Sequence, residues 1–326
     1  MRDRVSTFSS ARVAHLLTTE FVPVAIDSWD YRHGRGEIAR YYMRFAREAN
    51  LNPPNPDGNR SYQGHYVITP SGHILAAQNR RGETAALELL TRARDAWNQL
   101  YPSIRGREVP KETTGPRNLP TPALVLNVYS RVSSTNQKVD PEPNHLAREM
   151  DRFNRTRTGL DHLWLTERDT RLLDPRQRKV GERWHAPLYL ARRIARFHLV
   201  DNVRGEPDHY GQKDVAKAQL ELEVLSRNEG VVEIQIEGSF RMTKSGPYPT
   251  RFDGRLDGRL VYNTQSRKWI RFDLLAQGIS TGRGRYTPGA PDGTFELTVA
   301  FEIPPDDFAV KIPPQGMRHR DQYLTP

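Results

Sequence analysis

Five stretches between residues 218 and 303 constrain what this chain can fold into more than any other feature. The spans 218–225, 231–242, 251–263, 268–278 and 294–303 each alternate apolar and polar residues with a period of two. A strand turns successive side chains to opposite faces, so this alternation marks strands with one dry side and one wet side. In 231–240 the apolar set is Val232, Ile234 and Ile236, opposite Glu233, Gln235 and Glu237. In 268–276, Trp269 alternates away from Ile270, Phe272 and Leu274. Phe295, Leu297, Val299 and Phe301 share one face of the last span. Successive strands of this kind predict an antiparallel meander with one solvated face. Their length predicts a strongly curved sheet wrapped around a helix. Residues 187–199 supply a helix, with Pro187 suited to its first turn and Leu190, Ile194, Phe197 and Leu199 for burial. Phe240, Phe252, Leu256, Leu260, Phe272, Leu274, Phe295 and Phe301 would fill the interior or line an apolar ligand cavity. A filled interior is the favoured reading, since small sheets usually pack their cores.

The front of the chain is organised differently. Residues 9–19 put Val13, Leu16 and Leu17 on one helical face, and 21–26 form a short apolar run that predicts a buried strand. A helix is expected over 37–49, where Ile38, Tyr41, Tyr42, Phe45 and Ala49 fall at helical spacing. Strands at 65–69 and 73–77 flank Pro70-Ser71-Gly72, a hairpin signal, and an amphipathic helix follows over 84–100. Residues 102–122 lack any apolar period and are rich in proline, which marks a linker. Beyond it lie a strand at 123–129, a helix at 145–153, a short strand at 161–166 and an irregular, proline-bearing end from 304. The expected domains are therefore 1–101 and 123–326, joined by 102–122.

A chain of 326 residues accommodates two ordinary domains, and its 36% hydrophobic content is enough to build cores. The chain has no cysteine, which excludes disulfides, thiolate catalysis and thiolate-held metals. No run approaches the length of a membrane-crossing helix, and the first residues lack the apolar core of a signal peptide. The expected location is cytoplasmic as the sequence stands, or extracytoplasmic if a leader has been removed. The net charge of +10 would attract nucleic acid, but the arginines are spread along the chain rather than blocked. Nucleic acid is accordingly the less favoured partner.

Residues 7–100 resemble the thioredoxin-like domains found in many bacterial proteins. The resemblance rests on Thr7-Phe8, Val13, Leu16-Leu17, Phe21-Val22-Pro23-Val24 and Ile26-Asp27, then on the 37–49 helix, Gln63-Gly64 and Pro70-Ser71-Gly72. In that family the pattern follows a CxxC motif. Here only MRDRVS precedes Thr7, and Gln63-Gly64-His65-Tyr66 lacks the family's proline before the third strand. A second register lays Trp29 and His33-Gly34-Arg35-Gly36 over the CxxC region, again without cysteine. The resemblance implies a truncated, redox-inactive domain. With the second half, the expected fold class is α+β: a truncated thioredoxin-like αβ domain followed by a curved antiparallel β-sheet domain with a packed helix.

The candidate sites are few. The loop 27–36 follows a predicted strand and precedes a helix, so Trp29, Arg32, His33 and Arg35 would serve a ligand or partner, with His65 nearby. His65 and His73 would face each other across the hairpin and could hold a metal with His33; polar hairpin residues are the favoured reading, so no metal or cofactor is expected. Asp161 with His162, and His198 with Asp201, are the candidate catalytic groups, because a carboxylate beside histidine is what general-base chemistry requires. Glu167, Asp169, Asp208 and His209 lie close to them in sequence. Asp253, Arg255, Asp257 and Arg259 share a strand face, where cross-strand ion pairing is expected. These readings favour a binding or scaffolding protein whose partner is a protein or a second copy. A hydrolase or metal-dependent enzyme built on 161–209 is the alternative.

Overall fold

Ser10 starts the first helix by accepting a hydrogen bond from the Val13 N–H at 3.4 Å. The computed structural model describes residues 7–8, 10–26, 36–52, 62–80, 82–101, 121–132, 158–205, 208–284, 293–305 and 313–324. Two units emerge, 2–119 and 120–326. The predicted linker (but for 121 and 122) and the predicted 145–153 helix lie outside the described residues.

The first unit contains α1 (Ala11–Glu20), α2 (Glu37–Ala49), the strands β1 (His65–Ile68) and β2 (Ile74–Gln78), and α3 (Glu83–Gln99). Helix α1 buries Val13 against Ala86 and Leu90 of α3. Helix α2 ends at Asn50, whose left-handed φ of 45° lets its N–H reach Ala46 O. Tyr42, Phe45 and Ala46 of α2 make a second small core. Its rings meet edge to face, with Tyr66 5.4 Å from Phe45 and 5.7 Å from Tyr42. The hairpin is tied to α2 by Tyr41, whose hydroxyl donates to Pro70 O at 2.8 Å.

The expected strand at 21–26 does not form. Val22 and Val24 are 88% and 75% exposed, and among the described residues β1 pairs only with β2. An apolar run needs a ladder neighbour to become a strand, and Pro23 has no N–H to offer one. Phe21 and Ile26 still pack, against the α1–α3 and α2 clusters respectively.

The second unit is one antiparallel sheet with helices on it. Its strands are β3 (Leu124–Val132), β4 (Thr158–Leu165), β5 (Arg183–His185), β6 (Val215–Asn228), β7 (Val231–Lys244), β8 (Thr250–Asn263), β9 (Lys268–Gly282) and β10 (Thr294–Glu302). Between them run α4 (Glu167–Leu173) and α5 (Leu188–Phe197), and a turn of 3₁₀ helix, Gln315–His319, leads into α6 (Arg320–Leu324). The order is β4-β3-β10-β9-β8-β7-β6-β5. The five alternating spans thus form the predicted meander, and the sheet is extended by β5 on one side and the β3–β4 hairpin on the other. The fold is α+β.

Eight strands side by side would span roughly 34 Å if flat. Helix α5, with ten residues, is about 15 Å long. Yet the inward side chains of all eight strands join one core with Leu190, Ala191, Ile194 and Phe197 of α5. The sheet must therefore curl. Gly254 sits directly opposite Gly278, and a Cβ on Gly254 would come within 2.2 Å of Gln277 O and 2.6 Å of the Phe240 ring. Glycine at such a site lets neighbouring strands approach and bend. The eight proposed lining residues are all buried and belong to this one core.

One strand departs from the predicted phase. Between β8 and β9 the register steps from Val261 opposite Arg271 to Tyr262 opposite Trp269, leaving Ile270 as an extra residue. This bulge resets the alternation. Ile270 is exposed, while Trp269 packs on the core beside Tyr262 and Phe272 at ring distances of 4.9 and 5.9 Å. Among the described residues no helix is long and apolar enough to cross a membrane.

Candidate functional site

Strand β4 carries Asp161 on the same side as Leu163 and Leu165, so its carboxylate points into the core. Helix α5 ends at His198, whose N–H still bonds to Ile194 O at 2.9 Å. This end of the helix brings the His198 ring to Asp161, with Nδ1 3.5 Å from Oδ2, an ion-pair distance without hydrogen-bond geometry. The other ring nitrogen, Nε2, lies 2.9 Å from the Tyr323 hydroxyl of α6. The Tyr323 oxygen also accepts the Trp164 N–H at 3.3 Å, and Gln315 N–H donates to Asp161 Oδ1 at 2.9 Å. The Tyr323 hydroxyl donates to Nε2 in the tautomer with the His198 proton on Nδ1 and accepts from Nε2 in the other.

The result is a line of carboxylate, imidazole and phenol inside the protein. Tyr323 is 0%, His198 1% and Asp161 5% exposed. Burial pushes the Tyr323 hydroxyl far above the ordinary phenol range. The same three groups in an open cleft would form a proton path. Enclosed as they are, they clasp 313–324 to β4 and α5.

A second buried group centres on Asp169. Its carboxylate caps α4 by accepting the Thr166 N–H at 2.7 Å, while the Thr166 hydroxyl accepts the Asp169 N–H. It also accepts from Tyr189 at 2.9 Å and from Arg193 at 2.5 Å. Burial works to raise this carboxyl, but the Arg193 guanidinium and the cap bonds outweigh it and hold the group below the usual range. Burial and the neighbouring Asp169 push the Tyr189 hydroxyl up to about 12.

His209 follows a different pattern. Both of its ring nitrogens are shut off from solvent and have no hydrogen-bond partner among the described residues. Its ring stands 5.2 Å from Phe197 and 5.9 Å from His319, edge to face.

Of the candidate catalytic groups, the structure brings Asp161 and His198 together and leaves the other two apart from them. His162 follows Asp161 in a regular strand, so its side chain lies on the opposite face of β4. Asp201 turns the chain after α5, accepting the N–H groups of Val203 and Arg204 at 3.1 Å and pairing with the Arg204 guanidinium. Arg204 in turn stacks 3.8 Å over Phe295 and donates to Gly282 O. Asp201 is thus a loop organiser. His65 lies opposite Gln78, with its ring 5.4 Å from Phe8, so it does not face His73, whose carbonyl accepts the Thr69 N–H instead. The two histidines sit at opposite ends of a short hairpin, too far along the strands to share a ligand. Trp29, Arg32, His33 and Arg35 lie outside the described residues. Among the described residues no group of three or more histidines and carboxylates is arranged to hold a metal.

On the outward side of the sheet, Arg241 and Arg251 share Asp253, and Gln235 donates to Asp257 across the β7–β8 pair. This is the cross-strand pairing expected of that stretch for Asp253. No family model, curated protein or solved structure matches this chain.

Sequence reasoning missed Tyr323, Gln315, Arg193 and the His209–His319 pair. Met317 and Leu324, seven residues apart, were the available sign that the chain end returns to the core.

Proposed function

We propose that this chain is a non-catalytic binding or assembly protein whose partner is another protein or a second copy of itself. The observation that carries this reading is on β9. Leu275 and Ile279 stand exposed on the solvent side of the sheet, four residues apart on one face, with Ile270 exposed further along the same strand. Large aliphatic side chains on the wet face of a central strand, framed by charged residues, fit a surface that another chain covers. Asp257 lies opposite Leu275, Asp253 opposite Ile279, and Glu296 opposite Ile279 on the other side. The first unit, in this reading, is a redox-inactive thioredoxin-like domain kept for its surface. The absence of cysteine supports that assignment of role.

Native mass spectrometry across a range of protein concentrations, with the wild type beside Leu275→Ser/Ile279→Ser, tests the assembly arm. A concentration-dependent assembly that the double variant abolishes is the expected result. A wild type that stays monomeric and binds no more apolar dye than the double variant would sink the reading. The second reading is an enzyme, favoured by the alignment of Asp161, His198 and Tyr323. It requires those groups to become exposed.

A further inference from the structure

We propose that residues 313–324 form an acid-released latch: protonation of His209 and His319 frees this segment from the end of the sheet and uncovers Asp161 and His198. The segment is held by Tyr323 on His198 and Trp164, by Gln315 on Asp161 and by Gln322 on Arg196. Met317 and Tyr323 supply its apolar share of the core. A Cβ on Gly316 would stand 2.6 Å from the Tyr323 ring and 3.0 Å from Phe197, so this turn is pressed directly onto the core. All of these contacts are compatible with neutral imidazoles.

The surroundings of His209 do not accommodate a proton. From α5 it meets the Phe197 ring, with His198 beyond. From the segment it meets His319 and Arg318. From β7 it meets Lys244, whose ammonium reaches the His209 carbonyl. Asp208 precedes His209 in sequence, but Lys244 holds it in an ion pair at 2.6 Å. His319 faces His209 and is surrounded by Arg318 and Arg196, with Asp208 as the opposing charge. A proton on either ring would bring another positive charge into a group of cations, and on His209 it would have no acceptor.

The direction of the effect follows. Burial first, and then these cations, lower the proton affinity of both rings in the closed form. Histidine in an open segment has its ordinary pKa near 6.5. The closed form is therefore favoured above about 6.5, and the preference is lost as pH falls below that value toward the lowered closed-state pKa. Each such histidine makes opening about tenfold more favourable per pH unit in that window.

Hydrogen exchange on the full chain reads this directly. Protection of peptides within 313–324, corrected for the intrinsic pH dependence of exchange, is compared at about pH 7.5 and about pH 5. The expected result is a drop of roughly tenfold or more in protection of this segment, while β6 to β9 keep theirs. His209→Phe and His209→Gln remove one proton site and should flatten the profile, and His319→Gln should reduce its slope. Unchanged protection of 313–324 in the wild type at the lower pH overturns the proposal, whatever the variants do. Loss of protection throughout the sheet in the same step overturns it too, since that is acid unfolding. An unaltered profile in all three folded variants assigns the response to other groups and also overturns it.

Discussion

A tyrosine hydroxyl enclosed by protein must find its partners there, and Tyr323 finds two, the His198 ring and the Trp164 N–H. Tyr323→Phe keeps the ring but strands both. The loss should be about 1–3 kcal/mol of unfolding free energy, read as a lower denaturant midpoint with an unchanged slope. Asp169 is under a stronger constraint, because its carboxylate balances the buried Arg193 guanidinium. Asp169→Asn leaves that cation uncompensated and should cost about 3–5 kcal/mol. The same carboxylate gives a pH signature. Its folded-state affinity for protons is depressed, so its contribution is complete above the ordinary value of 3.8 and is lost as pH falls below it. Denaturation of the wild type and Asp169→Asn at neutral and strongly acid pH should show the gap between them closing at the acid end. No closure would contradict the assignment.

At the scale of elements, the β9 bulge separates two apolar neighbours. Phe272 lies in the core and Ile270 faces water. Phe272→Ala should cost about 3–5 kcal/mol. Ile270→Ser should stay within about 0.5 kcal/mol, despite the equal apolar character of the position. Equal effects in a thermal melt would mean that the bulge is misplaced. This pair also shows how much of the structure could be read from the sequence. The five meander strands were legible in number and place, though the first runs three residues further at each end and the fourth four residues further than the alternation shows, because a two-residue period is a local property that burial enforces along each strand. The bulge was not, since it arises from pairing with β8. The run 21–26 reads as a strand by composition, but a strand also needs a neighbour, and nothing local reports its absence. The site followed the same division. Asp161 and His198 stood out because each has a histidine or carboxylate close by in sequence, but the partner of each is the other, not His162 or Asp201. Tyr323, 125 positions from His198, joined them only through the fold.

For the whole molecule, the lack of cysteine makes stability independent of thiol redox state. Thermal unfolding with and without a strong reductant should superimpose, and any shift would point to a bound redox-active group rather than the chain. The order of the sheet has another consequence. β3 and β4 pair with each other, and the other neighbour of β3 among the described residues is β10, with Leu297 opposite Val132. On the ribosome, which delivers the chain from its N-terminus, the β3–β4 hairpin leaves the exit tunnel long before the strand that anchors it has been translated. It must wait with one edge unpaired, the kind of edge that recruits other chains. Stalled or prematurely terminated products ending before residue 294 would carry that exposed edge, and this makes the last strand the step at which synthesis either completes the sheet or leaves an aggregation-prone intermediate.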